Sequence, residues 1–176
     1  LFSQGLTEPQ SKKKPANKNS LYMNIKRLGW IQIDTLQVIE RAHYLTLWSR
    51  VGNYNKCLLD QLLYDGGSKS LNNNRQLFEY WMHAACIIPF EYYRLLIPFM
   101  RQRAQSSKRW RQDIKSNFQN TNYLASIMSH IESNGPSRPA DFRTGKRPQG
   151  SWWNWDKAKI ALEHLYNIGE LAISNR

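Results

Sequence analysis

The stretch Asn122-Tyr123-Leu124-Ala125-Ser126-Ile127-Met128-Ser129-His130-Ile131-Glu132-Ser133, closed by Asn134-Gly135-Pro136, decides the fold class of this chain. Leu124, Ile127, Met128 and Ile131 recur at the three- and four-residue spacing of one helix face, which predicts an amphipathic helix over 122–133. Glycine then proline stops it, because glycine accepts the backbone turn after a helix and proline cannot continue one. Outward toward the carboxyl end, Pro139-Ala140-Asp141-Phe142 predicts one short helical turn and 143–147 a basic loop. Residues 156–167 predict a second long helix, with Ala158, Ile160 (or Ala161), Leu162 and Leu165 apolar. Gly169 caps that helix, and Glu170-Leu171-Ala172-Ile173-Ser174 predicts a strand. Helix, short helix, loop, helix and strand is the order of a winged helix-turn-helix, whose second long helix lies in or against a DNA groove. The strand is the first of a wing.

Working back toward the amino end, residues 90–120 read as helix interrupted at Pro98. They carry Arg101, Arg103, Lys108, Arg109, Arg111 and Lys115 against one acid, Asp113. Such a stripe fits a phosphate backbone in a sequence-blind way, and equally fits a solvated helix face. The preceding run Leu77-Phe78-Glu79-Tyr80-Trp81-Met82-His83-Ala84-Ala85 is dense in aromatics. Its Glu79 and His83 are four apart and share a face on either a helix or a strand. The pair suits a proton relay or half a metal site, but without further ligands a structural contact is the better reading, and no metal is expected. Leu58, Leu59, Leu62 and Leu63 predict a short helix. Leu36, Ile39, His43 and Leu47 predict another to about Trp48, with Thr35 as its cap. Leu21, Ile25 and Leu28 predict a helix ending at Gly29 and capped by Asn19 or Ser20, after a basic linker over 11–18.

Between those first two helices lies Gly29-Trp30-Ile31-Gln32-Ile33-Asp34-Thr35. Apolar and polar residues alternate, the period of a half-buried strand, so Ile31 and Ile33 turn to a core while Gln32 and Asp34 stand together outside. An amide beside a carboxylate can hold and polarise a water molecule.

Composition bounds the partner. The 176 residues suffice for one sizeable domain or two small ones, and 41% hydrophobic with 12% aromatic content excludes wholesale disorder. Lys and Arg number 25 against 13 Asp and Glu, a formal charge of +12. That surplus points to a polyanion, nucleic acid before anionic lipid. Cys57 and Cys86 form neither a CxxC pair nor a disulfide framework, so buried thiols in a reducing compartment are expected. No run of 18 apolar residues exists, so no membrane association is expected. The chain begins without Met and stops at Ile173-Ser174-Asn175-Arg176, and is expected to be a piece of a longer protein.

With these residues assembled, the sequence resembles the bacterial winged-helix DNA glycosylases that repair alkylated bases and interstrand crosslinks, the YcaQ-like group. The matching segments are Gln4-Gly5-Leu6; Leu28-Gly29-Trp30-Ile31-Gln32-Ile33-Asp34-Thr35; Val38-Ile39-Glu40-Arg41-Ala42-His43; Leu47-Trp48-Ser49-Arg50; Phe78 to Ala85; and Trp152-Trp153-Asn154-Trp155 with Gly169-Glu170-Leu171. The resemblance implies a mainly α fold with short β strands, built of tandem winged helix-turn-helix units. A first unit over 1–100 carries the catalytic motif, a basic helix over 101–120 connects, and 121–176 forms a second winged helix with a truncated wing. It implies a Gln-x-Asp motif, here Gln32 and Asp34, that hydrolyses the N-glycosidic bond of N7-alkylated purines and unhooks crosslinks. No cofactor and no metal are implied. The enzyme is expected to be monofunctional, since no Lys sits in the motif to form a Schiff base.

Glu40, Arg41, His43, Glu79 and His83 are candidate supports of the site, with a structural network the favoured reading for Glu40, Arg41 and His43. Arg101, Arg103, Lys108, Arg109, Arg111, Arg143, Lys146 and Arg147 are candidate DNA contacts. The expected partner is double-stranded DNA with alkylated or crosslinked bases, met by a monomer in the bacterial cytoplasm at the nucleoid. The alternative is a non-enzymatic winged-helix DNA-binding protein such as a transcription regulator, which leaves Gln32 and Asp34 without a purpose.

Overall fold

Helix α1 (Lys18–Leu28) begins where Asn17 and Ser20 satisfy each other's backbone. The Asn17 side chain accepts from the Ser20 amide at 2.9 Å, and the Ser20 hydroxyl accepts from the Asn17 amide at 2.9 Å. The cap is therefore Asn17, with Ser20 as its reciprocal partner rather than the cap itself. Leu21 and Ile25 on its inner face are fully buried, and Gly29 ends it at φ 83°. The computed structural model describes residues 3–7, 15–33, 39–64, 75–105, 122–142 and 157–176. The chain divides into two compact units, one of Leu1–Leu95 with Ala172–Arg176 and one of Leu96–Leu171.

In the first unit, β1 (Ile31–Gln32) follows α1 at once. Helices α2 (Ala42–Val51) and α3 (Cys57–Tyr64) come next, then a hairpin of β2 (Leu77–Trp81) and β3 (Ala85–Pro89). Both β1 and β2 pair antiparallel with β3, giving the order β1-β3-β2. Ile31 stands opposite Ile87 and Gln32 opposite Cys86; across the hairpin, Glu79 stands opposite Ile87 and Tyr80 opposite Cys86. Cross-strand partners share a face. One face therefore carries Ile31, Ile87 and Glu79, and the other Gln32, Cys86 and Tyr80. Leu47, Leu59, Leu62 and Leu63 from α2 and α3 join Ile31, Ile33 and Ile87 with Leu21 and Ile25 in one core.

Two expectations need correction here. The helix predicted from Leu36 starts, among the described residues, at Ala42, because Arg41 is extended (φ −64°, ψ 139°) and forms the N-cap in place of Thr35. Its buried stripe is His43, Leu47 and Val51, while Ile39 lies outside it and is 87% exposed. Cys86 is buried as expected, but Cys57 is exposed at the start of α3.

After a 3-10 turn at Phe90–Tyr92, α4 (Tyr93–Gln105) runs through Pro98 without a break. Proline there forgoes one backbone hydrogen bond, a loss a packed helix absorbs at about 3 kcal/mol. The rest of the predicted helix, residues 106–120, lies outside the described residues. In the second unit, α5 (Asn122–Asn134), a 3-10 turn (Pro139–Phe142) and α6 (Lys157–Asn167) follow in the predicted order. Ile127, Ala161 and Leu165 are its buried centre, with Leu124, Met128 and Ile131 packed around them. His130 meets Phe142 edge to face at 4.8 Å.

The strand predicted at 170–174 does not form: residues 171–176 adopt no regular structure. A lone strand leaves its amides and carbonyls unpaired, and among the described residues no neighbour supplies a ladder there. The Ile173 carbonyl instead accepts from the Arg75 guanidinium at 3.4 Å.

Gly169 ends α6 at φ 87°, and a Cβ added there would lie 2.6 Å from Met100 Sδ. Gly169→Ala is expected to cost about 2 kcal/mol, roughly half from the left-handed backbone and the rest from displacing Met100. Gly29→Ala, at φ 83° with nothing within 4 Å of the new Cβ, is expected to cost only about 1 kcal/mol. Denaturant unfolding of the two variants side by side separates the terms.

Candidate active site

Gln32 is where strand alternation puts it. Ile31 and Ile33 are 3% and 8% exposed, while Gln32 between them faces out from the edge strand. The Ile33 amide donates to the Ala85 carbonyl at 2.7 Å, so pairing with β3 extends one residue past β1. Gln32 Oε1 lies 3.3 Å from His83 Nε2, a hydrogen bond when that nitrogen carries the ring proton. The Trp30 ring lies 6.3 Å from the His83 ring, tilted by 59°. Trp30, Gln32 and His83 thus form an exposed group beside the start of the motif. Asp34 lies outside the described residues.

Glu79 and His83, expected to share a face of one element, are separated. Residues 82–84 form the turn between β2 and β3, so His83 swings to Gln32 while Glu79 stays on the opposite, core-side face. Glu79 is 4% exposed, yet fully engaged. The Tyr64 hydroxyl donates to Oε1, and Arg176 donates from Nε to Oε1 at 3.0 Å and to Oε2 at 2.8 Å, with a second nitrogen 2.8 Å from Oε2. This two-pronged pair draws the end of the chain onto the sheet.

Glu40, Arg41 and His43 sit around the start of α2. The Glu40 carboxylate accepts from the Arg41 amide at 3.0 Å and pairs with Lys56, whose hydrogen bond holds it below the usual carboxylate range. Lys56 in turn lies 5.3 Å above the Tyr44 ring. His43 is 5% exposed, and its Nδ1 has no hydrogen-bond partner among the described residues. Burial lowers its pKa to about 4, assisted by Arg41 and Arg176 and opposed by Asp60 and Glu40.

The sign of that shift sets a pH dependence. In the unfolded chain His43 binds a proton below about pH 6.5, whereas in the folded chain it does so only near pH 4. Its contribution is full above pH 6.5 and is lost between 6.5 and 4, by about 3 kcal/mol if nothing else titrates. His43→Gln is expected to flatten the stability profile between pH 7 and 4.5, as read by urea unfolding at each pH.

Of the candidate DNA contacts, Arg101 on α4 is exposed and Arg103 half-exposed. Lys108, Arg109, Arg111, Arg143, Lys146 and Arg147 lie outside the described residues. Among the described residues, no helix is long and apolar enough to cross a membrane, and no three His, Cys, Asp or Glu side chains are grouped to hold a metal ion. Sequence reasoning missed Tyr64 and Arg176, whose partner Glu79 is 15 and 97 residues away. It also passed over Trp30, although its spacing of two from Gln32 was a visible signal.

An amide held in the open at a sheet edge, in a chain of charge +12, suits a protein that acts on a polyanion. The family model described as DNA glycosylase AlkZ-like matches residues 25–176, and the chain belongs to that family. Membership places it among enzymes that cleave the bond between a DNA base and its sugar. The match spans both Gln32 and Asp34. No solved structure matches the chain.

Proposed function

We propose that this chain carries the catalytic motif of a monofunctional glycosylase that releases N7-alkylated purines and unhooks interstrand crosslinks in duplex DNA. The observation that carries the proposal is Gln32, exposed between two buried isoleucines and hydrogen-bonded through its amide oxygen to His83. A purine alkylated at N7 is already cationic and leaves without a general acid. The remaining demand is for a carboxylate to stabilise the oxocarbenium-like sugar and for a water on the face away from the base. Asp34 meets the first and takes the water's proton; Gln32 orients that water. When His83 Nε2 donates to the Gln32 oxygen, the amide NH2 group is left as a donor to the water's oxygen.

Basic residues, Arg101 and Arg103 among them, contact phosphates within tandem winged-helix units, the second over 121–176. The test is incubation of the intact protein with duplexes carrying 7-methylguanine or a nitrogen-mustard-type crosslink. Free base and abasic sites that break only under alkali are expected. Strand breaks without alkali overturn the monofunctional reading. Duplex binding with no base release favours the regulator.

A further inference from the structure

Behind the sheet, on the face opposite Gln32, the first unit encloses a cavity of about 130 Å³ floored by Ile33 and Ile87. Three features of its wall favour negative charge. Helix α2 begins there: its N-cap, Arg41, gives no side-chain cap and donates its own amide to Glu40, and the first turn holds no acidic residue, so the amides that follow have no neutralising side chain from the helix itself. His43, 5% exposed, lines the cavity, and its Nδ1 has no partner among the described residues. The Arg41 side chain completes the wall; that of Arg176 also lines it but is paired with Glu79.

The carboxylates nearby are occupied. Asp60, which also lines the cavity, accepts from the Tyr44 hydroxyl at 3.2 Å; Glu79 is held by Tyr64 and Arg176, and Glu40 by Lys56. None of them supplies a partner for His43 Nδ1.

We propose that this cavity is an oxyanion site that takes a phosphate-type group, anchored by Arg41 and the amino end of α2, with the His43 Nδ1–H as a donor. Helix amino termini with an added cation bind such anions because amide hydrogens and dipole act together. The same chemistry comes from a backbone phosphate of DNA or from free inorganic phosphate. The site is independent of the roles given to Gln32 and Asp34, so either assignment can fail alone.

The test is NMR of the full chain with labelled histidine. Inorganic phosphate is added at ionic strength held constant with chloride. A saturable shift of the His43 ring is expected, with its pKa rising by about one unit or more as an anion settles beside it. Arg41→Gln is expected to abolish the shift and Arg41→Lys, which keeps the charge, to retain it. The second arm adds undamaged duplex. If DNA supplies the phosphate, duplex moves the same resonances, and Arg41→Gln lowers the salt slope of binding by about one charge. If free phosphate is the ligand, duplex leaves His43 unmoved and Arg41→Gln binds DNA like the parent. Either result supports the site. A His43 response no different from that to chloride overturns it, as does a saturable one that survives Arg41→Gln.

Discussion

Asp34→Asn in the intact protein is expected to slow release of 7-methylguanine by about a hundredfold or more, the scale of a lost general base. Duplex affinity should stay near the parent value, because affinity comes from cations meeting phosphates and the substitution removes one negative charge. Asparagine keeps the shape and hydrogen-bonding reach of the side chain. It loses the proton acceptor and the charge that stabilises the cationic sugar. Gln32→Ala should fall in the same direction by less, since it frees the water but leaves the carboxylate. Single-turnover base release and binding isotherms measured on the same preparations separate the two effects. Release at the parent rate from Asp34→Asn sinks the mechanism, whatever happens to binding.

Glu79→Ala is expected to be the most destabilising of the substitutions considered, at about 3 kcal/mol in denaturant unfolding. Breaking a buried ion pair by removing one partner costs about 3–5 kcal/mol, because the other charge is left uncompensated. The lower end applies since the Arg176 side chain is 36% exposed and can turn to water, whereas that of Glu79 is fully buried. The Tyr64 hydroxyl also loses its acceptor. Removing Arg176 instead strands the carboxylate, so Arg176→Met should be no milder. The double variant should cost less than the sum of the two, with a coupling of about 1–3 kcal/mol. Additive losses would mean that the pair contributes only packing.

In the proposed mechanism base release depends on Gln32, at the edge of the sheet, together with Asp34, whereas stability depends on a polar cluster behind the sheet. The register explains why one three-stranded sheet serves both. Gln32 pairs with Cys86 and Glu79 with Ile87, adjacent positions on β3, so their side chains leave by opposite faces. A one-residue slip would bury Gln32 and expose the isoleucines on both sides of it. The buried Ile31 and Ile33 guard against that slip.

Much of this was legible beforehand. The apolar spacing at Leu21 and Ile25, at Leu59, Leu62 and Leu63, and at Leu124, Ile127 and Ile131 located helices that formed where periodicity required them. The alternation from Trp30 to Asp34 announced a half-buried strand with Gln32 outside, and Ile31–Gln32 formed one. The hairpin was not legible. Its turn at Met82, His83 and Ala84 carries none of the Gly, Asn or Pro residues that mark tight turns, so an unbroken aromatic run read as one element. Nor was the start of α2, where Ile39 satisfied a helical spacing that the extended Arg41 interrupts.

Alternation and helical period, together with the family's motif, were thus determined by the sequence alone, because each depends on residues within a few positions of one another. Tertiary structure alone decided that His83 meets Gln32, that Arg176 reaches Glu79 across 97 positions, and that His43 Nδ1 faces a cavity with no partner among the described residues. Those outcomes depend on which distant segments share a desolvated space, and there the cost of an unpaired polar group, not local spacing, selects the partners.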